Sequence, residues 1–171
     1  MIRNRKQYGI SIIANIIYLL VLTLILDPFK ENYSMLSSSF GGYAAVFCMC
    51  ILLSFNLYTV TGQYNRKYIL LAVLGPIIGA LFPYTSGRGD LFSNLHEICA
   101  YISFSLVNIV CLLNIYKYRL KNERKGRIMM SIFLGIFVID AFLFMDSMGA
   151  VAYEQFILLS TVLIISYLLF E

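Results

Sequence analysis

Six long apolar runs constrain this chain more than any other feature of its sequence. They lie near residues 9–26, 39–60, 68–84, 96–115, 128–148 and 154–170. A helix that crosses the roughly 30 Å hydrocarbon core of a bilayer needs about 20 such residues. The chain is 60% hydrophobic and 13% charged, whereas soluble domains are about 45–50% apolar and about 25% charged. A single domain of 171 residues has no interior large enough for this surplus, which excludes a water-soluble globule.

The spanning elements are predicted to be helices. The runs lack the alternation of a lipid-facing barrel strand, and backbone groups in lipid must pair within their own segment. The predicted fold class is therefore all-α, an integral membrane bundle of six transmembrane helices that forms a single transmembrane domain over residues 1–171. Pro76 and Pro83 predict a kink in the third run and an early end to it. Asp27 and Pro28 follow the first run where a signal peptide would need small residues, so this run is expected to stay as an anchor.

Lysine and arginine are concentrated in three polar segments. Eleven of the 13 basic residues precede the first run, follow the second run or lie in the segment 117–127. The positive-inside rule assigns these segments to the cytoplasm, so both ends of the chain are predicted to be cytoplasmic in a bacterial cell membrane. The segment 117–127 is interpreted as a loop near anionic lipid that sets the orientation. No nucleic-acid partner is expected, because the cations form no face that could follow phosphates.

The acids are predicted to collect on the opposite, outer surface. Six of the nine map there, together with Arg88 and the only histidine, His96; these acids are Asp27, Glu31, Asp90, Glu97, Asp146 and Glu154. Asp140 lies inside the fifth run, about 18 Å from its cytoplasmic start. Ionisable groups inside a membrane are candidate functional groups. Asp146 is about 240° away from Asp140 around the helix, so the loss of Asp140 is expected to alter function more than the loss of Asp146.

A polar seam is predicted along the fourth run. Glu97, Tyr101 and Asn108 fall on one stripe of that helix, which could face Asp140. The predicted ligand-binding residues are His96, Glu97, Asp140, Tyr101, Asn108 and Arg88. The structural alternative is that these residues make interhelical hydrogen bonds, with Glu97 stabilising the first turn of its helix. No metal and no cofactor are predicted, since one histidine with scattered carboxylates matches a zinc site poorly.

Small residues and cysteines give weaker indications about helix packing and thiol chemistry. Gly75 and Gly79 form a G-x-x-x-G pair, which predicts either tight packing within the bundle or the face of a homo-oligomer. The four cysteines, at 48, 50, 99 and 111, form no C-x-x-C pair. They are interpreted as buried, unreactive thiols, which disfavours a membrane thiol oxidoreductase.

Two stretches resemble a known group of membrane proteins. They are GPIIGALFP, from Gly75 to Pro83, and LHEICAYISF, from Leu95 to Phe104. They are similar to the Frag/DRAM-like proteins and to a related bacterial family of unknown function, in which a histidine opens the fourth helix shortly before an alanine and a phenylalanine. His96, Ala100 and Phe104 occupy those places, and the resemblance covers about residues 30 to 105. It implies a six-helix bundle with cytoplasmic ends, carries no catalytic role over, and has no counterpart for Asp140.

The sequence thus predicts a multi-pass membrane protein that binds or senses a lipid or a small amphiphile from the outer leaflet. Its ligand would occupy an outward-facing polar pocket, with His96 at the mouth and Asp140 deeper. One alternative is a membrane-embedded enzyme or proton-coupled transporter that uses Asp140 and His96 as proton-transfer groups, although an enzyme is the less expected class. A second alternative is an assembly subunit of a membrane complex.

Overall fold

The computed structural model describes residues 4–26, 33–36, 40–82, 91–147 and 152–170, without the side chains at 34, 35, 40, 93, 140, 141, 143–147, 153 and 154. The described backbone is almost entirely helical and contains no strand. Its α-helices are α1 (Arg5–Ile25), α2 (Tyr33–Leu36), α3 (Phe40–Tyr64), α4 (Ile69–Ile78), α5 (Leu91–Lys121), α6 (Glu123–Ser147) and α7 (Ala152–Leu169). The six longer helices coincide with the six apolar runs, and the predicted all-α class is confirmed.

Three helices form the centre of the fold. Helices α3, α5 and α7 contact one another in pairs, and an outer helix lies along each crevice between them. Helix α1 packs against α3 and α7, α4 against α3 and α5, and α6 against α5 and α7. The fully buried side chains come mainly from the central helices, for example Leu57, Val110 and Val162. The outer helices expose large apolar side chains such as Leu24 and Phe142, a surface that suits contact with lipid.

The basic residues that the structure describes share one end of the bundle, which we call the basic end. Here the start of α1 meets the end of α7, and the rings of Tyr8 and Phe170 stack at 4.5 Å. The Tyr64 ring at the end of α3 packs edge-on against Tyr118 of α5 at 6.0 Å, and its hydroxyl donates to the Leu169 carbonyl. We call the opposite end, where α3, α5 and α7 begin, the far end. The basic end carries Arg5, Lys6, Arg66, Lys67, Lys117, Arg119, Lys121, Arg124, Lys125 and Arg127.

The basic segment 117–127 is a helical hairpin, and its prediction as a loop was wrong. Helix α5 runs into the basic residues, and Asn122 alone separates it from α6. The Asn122 side chain caps α6, because its Oδ1 accepts the backbone N–H of Lys125 at 3.2 Å. The two helices then approach closely, since a Cβ atom at Gly126 would lie 2.5 Å from the Arg119 Cα atom. An apolar run therefore marks where a helix can cross lipid, but not where the helix ends in water.

The third predicted span, 68–84, contains a shorter helix than its length indicates. Helix α4 has ten residues, about 15 Å or half of the hydrocarbon core. A 3-10 turn, Arg66–Tyr68, precedes it. Pro76 supplies no N–H group, and its ring crowds the carbonyl four residues earlier. The chain leaves the helix soon afterwards through two tighter i→i+3 hydrogen bonds, whereas Pro83 lies outside the described residues.

Several described helices have the length and composition of membrane spans. Three of them, Arg5–Ile25, Gly41–Tyr64 and Asn94–Lys121, are long and apolar enough to cross a bilayer. Helix α7 adds a shorter apolar stretch, Gln155–Leu169. These helices indicate a membrane protein.

Candidate functional site

A cavity of about 100 Å³ lies between the helices at the far end. Residues of α2, α3, α4, α5 and α7 form its wall. Its polar lining is Tyr33, His96, Ser103 and Gln155, and its other lining residues are Val46, Met49, Cys50, Leu53, Pro76, Gly79, Ala100, Phe104, Val107 and Leu159. Tyr33 and Gln155 belong to the first turns of α2 and α7, and His96 belongs to the second turn of α5. The deeper wall is apolar apart from Ser103. The cavity is therefore amphipathic along its length.

His96 is the predicted site residue that this cavity contains. Its side chain is only 2% exposed, and its Nδ1 atom lies 2.6 Å from the Phe82 carbonyl oxygen. A carbonyl oxygen can only accept, so the Nδ1–H group donates this hydrogen bond. In this tautomer the Nε2 atom is the acceptor of the ring. The backbone that follows α4 thereby fixes both the tautomer and the direction of the ring.

Helix α2 connects two other helices at the cavity. The backbone N–H of Tyr33 donates to the Gln155 Oε1 atom of α7 at 3.1 Å. The Tyr33 hydroxyl lies 2.7 Å from the Thr23 hydroxyl of α1, and Thr23 itself donates to the Leu19 carbonyl at 2.8 Å. The backbone N–H and the side-chain hydroxyl of Tyr33 are thus both hydrogen-bonded, which fixes this side of the far-end cavity.

The glycine pair formed by Gly75 of α4 and Gly79, directly after this helix, packs within the chain. A Cβ atom at Gly75 would lie 3.1 Å from the Leu106 Cβ atom, and one at Gly79 would lie 2.9 Å from the Cβ and Oγ atoms of Ser103. Helix α5 therefore covers the G-x-x-x-G face, as the tight-packing interpretation expects. The close approach also lets Gly79 and Ser103 share the wall of the cavity. A homo-oligomer stays a prediction.

A second cavity, of about 310 Å³, lies between α5 and α6. We call it the α5–α6 groove. Its lining consists of Phe104, Ser105, Asn108, Ile109, Leu112, Phe133, Leu134 and Phe137. Asn108, which the sequence predicts as a ligand-binding residue, is 5% exposed and lies in this groove rather than in the far-end cavity.

The other predicted site residues are dispersed. Glu97 and Tyr101 are exposed, Tyr101 by 56%, so they do not share a buried seam with Asn108. Glu97 follows His96 directly, and the helix turns about 100° between them. Arg88 lies outside the described residues, and so does the side chain of Asp140, whose backbone belongs to α6. The role predicted for these two residues stays a prediction.

Sequence reasoning missed Gln155 and did not propose Tyr33 as a site residue. Gln155 opens the last apolar run beside Glu154, where a polar residue in a first helical turn is routine. Tyr33 lies in a short polar segment between two runs. At neither position does the sequence pattern distinguish a residue that lines a cavity from any other polar residue at the membrane boundary.

The described residues contain no group of three or more histidine, cysteine, aspartate or glutamate side chains that could hold a metal ion. All four cysteines are free, and Cys50 and Cys111 are buried. Cys48 is exposed, so the prediction of a buried thiol was wrong there. Two residues turn a helix by about 200°, which places Cys48 and Cys50 on different faces of α3.

Comparisons with known protein families, with curated proteins and with solved structures find no significant match for this chain. The resemblance to the Frag/DRAM-like proteins therefore stays a prediction.

Proposed function

We propose that this chain is a six-span protein of a cell membrane, with both ends in the cytoplasm, which binds a lipid or a small amphiphile in its far-end cavity. The concentration of cations at the basic end supports this orientation, because positively charged segments stay on the cytoplasmic side. The exposed apolar side chains of the outer helices support the embedding in lipid. In this orientation the far-end cavity lies in the outer half of the bilayer.

The amphipathic lining of the far-end cavity carries the proposal. His96 and Gln155 stand at the end that faces the lipid headgroups, and Leu53 and Val107 line the deeper part. A ligand with a polar head and an apolar tail matches this order of side chains, since few polar groups orient a ligand and apolar walls bury the rest. His96 would be the main polar contact, because its ring position is fixed by the Phe82 carbonyl.

The size of the cavity limits which part of the ligand it holds. A volume of about 100 Å³ corresponds to about three water molecules at their liquid volume of about 30 Å³ each. The cavity accommodates the head of a small amphiphile or a short part of a lipid, and the remaining chain lies along the surface of the bundle. Arg88 and Asp140 keep the candidate role that the sequence predicts for them.

Replacing His96 with leucine should lower the fraction of protein that retains the bound molecule. Leucine retains much of the side-chain volume but has no hydrogen-bonding group, and the loss of one polar contact lowers affinity about five- to tenfold. The measurement is mass spectrometry of the protein released intact from detergent, which reports the fraction of protein that retains a lipid or amphiphile. Glu97→Gln is the matched control, since Glu97 is the exposed neighbour of His96 and its substitution should leave the retained fraction unchanged. Equal retention in His96→Leu and the parent protein would contradict the proposed site.

A further inference from the structure

The α5–α6 groove has a buried floor and an exposed rim. Asn108 and Phe133 form the floor, at 5% and 1% exposure. Ile109, Leu134 and Phe137 line it as well, and these three side chains are substantially exposed. In a membrane-embedded bundle this rim faces lipid, so a molecule dissolved in the bilayer can enter the groove sideways without passing through water.

The orientation of the Asn108 amide follows from its hydrogen bond. Its Nδ2 group donates to the Phe104 carbonyl, one turn earlier in α5, at 2.8 Å. A carbonyl cannot donate, so the nitrogen must occupy that position, and the Oδ1 atom is the other branch of the amide. This Oδ1 atom is buried and has no hydrogen-bond partner among the described residues. Asn108 lines the groove, so one lining residue carries an acceptor whose hydrogen-bonding capacity the described protein groups leave unused.

A buried acceptor without a donor is unfavourable, and more so in hydrocarbon, where water is scarce. A bound molecule would satisfy this acceptor if it carries a hydrogen-bond donor. The rest of the molecule should be apolar, because the rest of the lining is mainly phenylalanine, leucine and isoleucine. We propose that the α5–α6 groove is a binding site for an apolar alcohol, that is, a membrane-dissolved molecule with an aliphatic or ring body and a hydroxyl group that donates to Asn108 Oδ1. A saturated acyl chain alone lacks the donor and does not meet this requirement.

The groove has a suitable volume for such a ligand. About 310 Å³ holds about ten non-hydrogen atoms, if each takes about the 30 Å³ that a water molecule occupies in the liquid. The exposed ring of Phe137 and the half-buried ring of Phe104 would lie against the apolar body, and Asn108 would fix the position of the hydroxyl. This inference rests on the proposed membrane embedding, but it is independent of the far-end cavity and of His96.

Tryptophan fluorescence in nanodiscs of phosphatidylcholine tests this site. The chain has no tryptophan, so Leu134→Trp places a single reporter at the rim of the groove. Ile132→Trp is the matched control, because Ile132 is exposed on the same helix, two residues away, and does not line the groove. The probes are a bromoalkanol, with the bromine at the end opposite to the hydroxyl, and the bromoalkane of the same chain length. Bromine quenches a nearby tryptophan, and the two probes differ only in the donor.

At position 134 the bromoalkanol should quench at about a five- to tenfold lower concentration in the membrane than the bromoalkane, the preference that one hydrogen bond supplies. At position 132 this preference should be absent. Adding Asn108→Leu should abolish the preference at position 134, while adding His96→Leu should leave it intact, which separates this site from the far-end cavity.

Three results would overturn the inference. Equal quenching by both probes at position 134 would mean that the Asn108 acceptor binds water only. A preference that survives Asn108→Leu would assign the selectivity to another group. Protection of position 134 from both probes would mean that another helix, from a second copy or from a different protein, covers the groove.

Discussion

Replacing Gly126 with alanine should lower the free energy of unfolding by about 2–3 kcal/mol, at the upper end of the usual cost of overpacking. The added Cβ atom would lie 2.5 Å from both the Cα and Cβ atoms of Arg119 and 2.9 Å from its backbone nitrogen. The obstructing atoms include backbone, so no rotamer change relieves the clash, and α5 and α6 must separate. Because Asn122 alone joins the two helices, the connection is too short to let α5 and α6 separate without breaking helical hydrogen bonds near it.

Gly135 provides the control for this prediction within the same helix. A Cβ atom there would meet nothing within 4 Å, so Gly135→Ala should leave stability unchanged or raise it through the better helix propensity of alanine. The measurement is unfolding in mixed micelles with increasing dodecyl sulfate, followed by circular dichroism. If Gly126→Ala and Gly135→Ala unfold at the same detergent fraction, α5 and α6 are not in close contact at Gly126.

The second large effect is expected at Gly79. Gly79→Ala should cost about 1–2 kcal/mol, because its Cβ atom would lie 2.9 Å from the Cβ and Oγ atoms of Ser103. These two atoms are removed together by Ser103→Gly. The alanine at 79 should therefore cost almost nothing in a Ser103→Gly background, although Ser103→Gly lowers the helix propensity of α5 by itself.

A double-mutant cycle measures this coupling directly. The parent protein, the two single variants and the double variant are unfolded under the same conditions, and the coupling energy should be about 1–2 kcal/mol. Additive costs would show that Gly79 and Ser103 do not meet. The same cycle bears on the far-end cavity, since both residues line it.

The sequence predicted the helices better than their ends. Each apolar run locates a helix, because a continuous apolar segment in lipid must satisfy its own backbone. Helix α5 nevertheless continues about six residues past the predicted boundary at 115, up to Lys121, since the polar residues beyond the membrane still favour a helix. Helix α4 is short for the opposite reason: Pro76 weakens its last turn, and the helix ends at Ile78 within a run whose apolar composition continues.

The candidate site was predictable only in part. The position of His96 at the start of the fourth run identified it as a group of the outer boundary, and the structure finds it in a cavity. The direction of its ring depends on the Phe82 carbonyl, which comes from a turn that the sequence pattern does not specify. The separation of Asn108 from His96 into different cavities depends on which helices pack beside α5, and helical periodicity alone carries no information about those neighbours.

The most direct test of the account is the side of the membrane on which three positions lie. In a background with alanine at Cys48, Cys50, Cys99 and Cys111, single cysteines are introduced by Arg3→Cys, Ser86→Cys and Glu171→Cys, and a membrane-impermeant maleimide is applied to right-side-out and inverted vesicles. We expect positions 3 and 171 to react only in inverted vesicles and position 86, between the third and fourth runs, only in right-side-out vesicles. If positions 3 and 171 react from opposite sides, or position 86 reacts from the same side as position 3, the six-span orientation and the outward-facing cavity at His96 are contradicted.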